Sequence, residues 1–165
     1  MLPDFAWACS DINTIKHQYN LEKYIVLFPF CSTHLIEKKW PYYNELIDLI
    51  KNKYQDHYKI VVAPGPDEIK EAKEIKAICV LDNDKALDIS QLSSLIKNSS
   101  FVIANDTGPA HMAAHLNVKG LTLFGSHTTA HKVSIEREKF KPIQVSNLEK
   151  LTAAKVFEKI EEKIN

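Results

Sequence analysis

Arginine is nearly missing from this chain: Arg137 stands alone among 21 Lys and Arg side chains. That rules out an anion site assembled from several bidentate guanidinium clamps. An excess of either charge is missing too, since Asp and Glu also total 21 and the formal net charge is zero. A nucleic-acid partner held by basic excess is therefore not expected. Cysteine is sparse and unpaired in pattern. Cys9, Cys31 and Cys79 lie far apart with no CxxC, which excludes a disulfide framework or a zinc ribbon and points to reduced thiols in a cytoplasmic protein. No run approaches the ~18 apolar residues that a membrane-spanning helix needs. The opening MLPDFAWACSD has no basic stretch followed by an apolar one, so it does not read as a signal peptide. Peripheral contact with a membrane surface stays open.

What is present is an ordinary globular composition, 45% hydrophobic and 25% charged over 165 residues, enough for one domain with a genuine core. Short apolar runs alternate with longer amphipathic ones. Five strands are predicted, at residues 24–28, 59–63, 78–81, 101–104 and 121–124. Helices are predicted after Pro41, from Asp67 to about Lys76, over 88–96, from Pro109 onward and over 146–163. On the last helix, Leu151, Ala154, Phe157 and Ile160 share a face. Strands without polar alternation, each followed by a helix, predict an α/β domain of Rossmann-like type, with a parallel sheet covered by helices on both faces. Residues 1–22 fit this pattern poorly and read as a linker or arm, with a short helix around Asn13 to Tyr19. Residues 23–165 form the domain.

In such sheets ligands bind beyond the carboxyl ends of the strands, where the unusual residues of this chain fall. The strongest signal is FVIANDTGPAHMAAH, residues 101–115. A buried strand ends, Asn105 to Gly108 make a tight turn, and Pro109 enters a helix where its missing N–H costs nothing. Thr107 or Asp106 can cap that helix, and Gly108 lets backbone approach a ligand closely. The first amides, backed by the helix dipole, form a phosphate cradle. Asp106 would repel a phosphate and is better suited to a cap or to a ligand hydroxyl. A plain strand–turn–helix junction would carry many of the same residues.

His111 and His115 are one turn apart, as are His127 and His131, but no third ligand or HExxH glutamate accompanies them, so no metal is expected. His111 can donate to a phosphate or a sugar; His115 reads as a packing or surface residue. After the first predicted strand, Ser32 and Thr33 offer hydroxyls and Lys38 a point charge to an anion. The plainer reading makes Lys38 and Lys39 solvated and Trp40 a core anchor. Gly125, Ser126, His127 and Thr128 follow the fifth strand, and Pro64-Gly65-Pro66 the second, so four loops gather at one edge of the sheet.

Taken in order, these pieces resemble the ADP-heptose:lipopolysaccharide heptosyltransferases of glycosyltransferase family nine, in their C-terminal domain. The family's DTGPxHxAAxL segment stands here as Asp106 to Leu116. Its Leu-Phe-Gly strand end is Leu123-Phe124-Gly125, and its Lys-x-Trp-Pro is Lys38-Lys39-Trp40-Pro41. The match runs over roughly residues 24–160. Two departures fall in loops that could touch the donor, which leaves the sugar open: Ser126-His127-Thr128 replaces the usual Pro-Thr after Gly125, and a proline commonly found before the final strand is missing around Lys119-Gly120.

The resemblance implies the C-terminal half of a GT-B fold and a metal-free, cofactor-free transfer of heptose from ADP-heptose to the lipopolysaccharide inner core. It implies donor contacts from Ser32, Thr33, Lys38, Asp106, Thr107, Gly108, Pro109 and His111. It implies action in the cytoplasm at the inner face of the bacterial inner membrane. Acceptor and general base are expected from an N-terminal domain that this chain lacks, so no catalytic residue is assigned and the chain alone is expected to be inactive. The alternative is an inactive nucleotide-binding remnant, or half of a split glycosyltransferase using another sugar nucleotide. A response-regulator-like domain is disfavoured, because Pro-Phe-Cys-Ser-Thr stands where its acidic cluster would follow the first strand.

Overall fold

Strands that are apolar on both sides need cover on both sides, and the helices of this chain provide it. The computed structural model describes residues 11–30, 39–125 and 136–165. In chain order the main elements are α1 (Asn13–Gln18), β1 (Tyr24–Phe28), α2 (Tyr43–Tyr54), β2 (Lys59–Val62), α3 (Ile69–Ala72), β3 (Ile78–Cys79), α4 (Ile89–Lys97), β4 (Phe101–Asn105), α5 (Gly108–His115), β5 (Gly120–Phe124), β6 (Phe140–Gln144) and α6 (Ala153–Lys163). The strands form one six-stranded sheet in the order β3-β2-β1-β4-β5-β6, and every pair is parallel. The order reverses direction between β1 and β4, the switch point at which doubly wound sheets open a crevice.

Two hydrophobic cores flank the sheet. One joins Tyr24, Val26 and Phe28 of β1 to Ile15 of α1, Leu95 of α4 and Ala110, Ala113 and Ala114 of α5. The other joins Ile25 and Leu27 to Leu46, Ile47 and Ile50 of α2 and to Val156 and Ile160 of α6. Ile12, Ile15 and Leu21 are buried in the first core, so the segment from residue 12 onward packs on the sheet. Tyr24 runs its hydroxyl into that core and donates to the Leu95 carbonyl at 2.6 Å. Burial pushes its phenol pKa up.

The helix read from Asp67 to Lys76 is shorter. A 3-10 turn over Pro66–Glu68 leads into α3, which ends at Ala72. Beyond it the amides of Lys73, Glu74 and Ile75 turn to carbonyls three residues back. Asn44 of α2 then takes over the backbone, donating to the Glu74 carbonyl and accepting from the Lys76 amide. The helix read over 146–163 begins only at Ala153. A 3-10 turn, Leu148–Lys150, precedes it, the Leu151 carbonyl is claimed by Trp40, and Thr152 caps α6 through the Lys155 amide. Ala154 is exposed, and Ala153, Val156 and Ile160 make the buried face instead. β6 was not legible as a strand. It is an edge strand, half-buried, with Pro142 opposite Thr122, and an edge is one of the few places in a sheet that tolerate proline. Among the described residues, no helix is long and apolar enough to cross a membrane.

Candidate functional site at the carboxyl edge of the sheet

The loops after β1 and β4 leave the sheet side by side, because Phe28 pairs with Ala104 at the ends of these neighbouring strands. The end of β5 lies next to them, with Asn105 opposite Leu123. This brings Pro29, Asp106 to His111 and Gly125 to one edge at the switch point. Ser32, Thr33 and Lys38 lie outside the described residues, as do Ser126, His127, Thr128 and His131.

The turn after β4 is built as a cradle. Thr107 occupies the N-cap position of α5 in an extended conformation, yet its side chain makes no cap. Its hydroxyl instead donates back to the Asn105 carbonyl at 3.3 Å, so the expected Thr107 cap is not made. The Thr107 carbonyl accepts the Ala110 and His111 amides at 3.1 and 3.4 Å, which fixes the first turn. Pro109 sits at the second helical position, where no N–H is needed. A Cβ built on Gly108 would meet no atom within 4 Å. No glycine among the described residues has positive φ, so Gly108 serves by leaving room over the helix start rather than by unusual backbone. Open space, an uncapped helix start and the dipole behind it make a receptor for an anion.

Asp106 is buried, its side chain 2% exposed, with Oδ1 4.0 Å from Nε2 of His111. His111 is the outward member of the pair, 36% exposed, so its ring stands between the carboxylate and solvent. His115 faces elsewhere. Its Nδ1 lies 3.4 Å from the Arg137 guanidinium, and burial, the Arg137 charge and His111 all hold its pKa below the ordinary histidine range. His115 is thus a neutral acceptor for the single arginine rather than part of the cradle.

Trp40 is a structural anchor. It is 1% exposed, its Nε1 donates to the Leu151 carbonyl at 2.7 Å, and its ring meets Tyr43 edge-on with centroids 5.0 Å apart. Lys39 pairs with Glu71. Asn105 has a larger part than the sequence suggested. Fully buried at the end of β4, it donates from Nδ2 to the Pro29 carbonyl at 2.9 Å. Its Oδ1 accepts from the Tyr43 hydroxyl at 3.0 Å and the Trp40 amide at 3.4 Å. The only hint in the sequence was a polar side chain ending an otherwise apolar strand.

Other concave regions lie at the opposite, amino-terminal edge. One of about 600 Å³ is lined by Lys59, Ile60 and Ile78 at strand starts, and one of about 460 Å³ by Lys23, Lys97, Lys119 and Lys139. Helix carboxyl ends arrive at that edge, and lysines there offset their negative dipole ends. Cys79 is a free thiol whose pKa burial pushes up, so it is not a ready nucleophile. Among the described residues, no three His, Cys, Asp or Glu side chains converge to hold a metal ion.

A family model described as glycosyltransferase family 9 (heptosyltransferase) matches residues 3–162. Among solved structures, E. coli ADP-heptose lps heptosyltransferase II superimposes with a TM-score of 0.73 at 20% identity, over 92% of this chain and 50% of that one. E. coli heptosyltransferase WaaC with ADP superimposes with a TM-score of 0.72 at 22% identity, over 99% of this chain and 50% of that one. Methanocaldococcus jannaschii UDP-GlcNAc 2-epimerase, in complex with UDP-GlcNAc and UDP, gives 0.57 at 19% identity, over 93% and 42%. At these identities the likenesses establish the fold: a Rossmann-like half that matches GT-B heptosyltransferase structures. The chain spans about half the length of the first two solved proteins. No curated protein matches significantly.

Proposed function

The chain belongs to glycosyltransferase family 9, the heptosyltransferase family, and from that membership we propose that it is the donor-binding, C-terminal domain of a sugar transferase, taking ADP-heptose for transfer to a lipopolysaccharide core acceptor. The observation that carries this reading is the open, uncapped start of α5 at the switch point of the sheet. A diphosphate seated there would accept from the Gly108 amide and lie at the positive end of the helix dipole, with Gly108 also leaving the room it needs. His111 would donate to the diphosphate or the sugar. Asp106 would accept from a sugar hydroxyl rather than face a phosphate, and Ser32, Thr33 and Lys38 would complete the donor site from the loop after β1. That a WaaC structure holds ADP supports an adenine nucleotide as the first ligand to try.

Transfer also needs a base for the acceptor hydroxyl. Among the described residues, the one carboxylate at the cradle, Asp106, sits beneath His111 rather than facing out, and we assign the base and the acceptor site to an opposing domain. The chain alone is then expected to bind nucleotide weakly and to transfer sugar negligibly, in a cytoplasmic setting at the membrane face where the acceptor is available.

Calorimetric titration with ADP, UDP and GDP in parallel tests the donor. Preference for ADP is the expected result. Preference for UDP or GDP would move the donor to another sugar nucleotide, and no binding by a folded chain would favour a remnant that has lost its ligand. Lys38→Ala should weaken ADP binding more in low salt than in high salt, because salt screens the attraction between a lysine and a phosphate. A salt-independent loss would speak against a charge contact.

A further inference from the structure

We propose that Asn105 is a positioning residue for nucleotide binding, one whose carboxamide sets the α5 cradle against the end of β1 and the start of α2. The proposal rests on the nucleotide-binding reading above. Asn105 does not face the cradle; it is fully buried on the α2 side of the sheet. Its reach is nevertheless threefold. Through Nδ2 it holds the Pro29 carbonyl at 2.9 Å, where the chain leaves β1. Through Oδ1 it holds the Tyr43 hydroxyl at 3.0 Å and the Trp40 amide at 3.4 Å, where the chain enters α2. Its own carbonyl holds the Thr107 hydroxyl at 3.3 Å.

That last contact is made by the backbone of the residue whose side chain is clamped, so the Thr107 turn follows where the carboxamide is held. A threonine at an N-cap position ordinarily turns its hydroxyl onto the helix amides. Here the hydroxyl is kept on Asn105 and makes no cap; with the Ala110 and His111 amides on the Thr107 carbonyl, Gly108 offers its amide over the open helix start. One side chain therefore ties the root of the turn that opens α5 to the end of β1 and the start of α2. A carboxamide is suited to this, since it both donates and accepts in one plane. An aspartate could keep the Tyr43 and Trp40 contacts but would set an oxygen against the Pro29 carbonyl.

The test compares Asn105→Asp and Tyr43→Phe with Ile50→Val, a conservative change in the same core two turns along α2. All are studied well below their melting temperatures. Calorimetry should show ADP affinity reduced about tenfold or more in Asn105→Asp, and severalfold in Tyr43→Phe, as expected when binding groups are displaced by a fraction of an ångström. Ile50→Val should bind like the parent even where its melting temperature falls. Affinities of both site variants within about twofold of the parent would overturn the proposal. If the parent chain binds none of ADP, UDP and GDP, the donor reading fails by itself, and amide hydrogen exchange decides the positioning role. Exchange at Asp106, Thr107, Gly108, Ala110 and His111 should quicken in Asn105→Asp and not in Ile50→Val. Equal exchange in the two would overturn it. Should Asn105→Asp fail to fold, the same comparison with Tyr43→Phe decides.

Discussion

Gly108 shows how one residue can matter for a ligand and little for the fold. Its backbone is ordinary and its Cβ direction is empty, so Gly108→Val should change stability by less than about 1 kcal/mol, within the range of helix propensities. Chemical denaturation and ADP calorimetry on the same sample check this: a folded variant without ADP binding is expected, and retained affinity would mean the cradle lies elsewhere. His115 makes a different prediction. Its folded pKa is below the ordinary value, chiefly from burial and then from Arg137. The unfolded chain therefore binds the proton first as pH falls. The stability tied to neutral His115 is fully present above about pH 6.5 and is lost as pH drops through the unfolded and then the folded value. Arg137→Gln should reduce that loss between pH 7 and pH 5, as measured by urea midpoints at each pH. An unchanged pH profile would mean the 3.4 Å contact has no energetic weight.

At the scale of elements, caps and close approaches decide. α4 begins with a reciprocal box in which Asp88 accepts the Gln91 amide at 2.7 Å and Gln91 accepts the Asp88 amide at 2.9 Å. Asp88→Ala should cost about 1 kcal/mol in urea unfolding. β5 tolerates even less. A Cβ on Gly120 would meet the Val102 carbonyl oxygen and come within 2.6 Å of the Phe140 ring, so Gly120→Ala should destabilise by about 1–3 kcal/mol or more through overpacking. A neutral result would show that β6 can move aside. The start of α4 at Asp88 was legible from sequence, because both partners of the box lie within one turn. The role of Gly120 was not, because its neighbours stand on β4 and β6, far away along the chain.

Across the whole molecule, the strand order places the β1 and β4 loops together, and the segment before β1 is part of the same body. Ile15 is 4% exposed in a core shared with β1, α4 and α5. Ile15→Ala should therefore lower stability by about 2–5 kcal/mol in a single urea transition. A change near zero would mark residues 12–21 as a detachable arm, in keeping with a boundary near residue 22. At the amino edge, Lys23, Lys97, Lys119 and Lys139 line one concavity, away from the proposed donor site at the carboxyl edge.

The residues alone determined the α/β class, the parallel sheet, five of its strands and the Asp106–His111 turn. Each of these rests on local patterning: unbroken apolar runs, a proline and glycine at a helix start, and spacing within a few residues. Tertiary structure alone decided where α3 stops and α6 starts, because Asn44 and Trp40 claim backbone groups that the helices would otherwise use. It also decided that β6 is a strand, since a half-polar run with a proline pairs only where a buried neighbour offers an edge. The part played by Asn105 belongs here as well. A carboxamide has no periodicity to read, and its three partners meet it only after β1, α2 and β4 have packed.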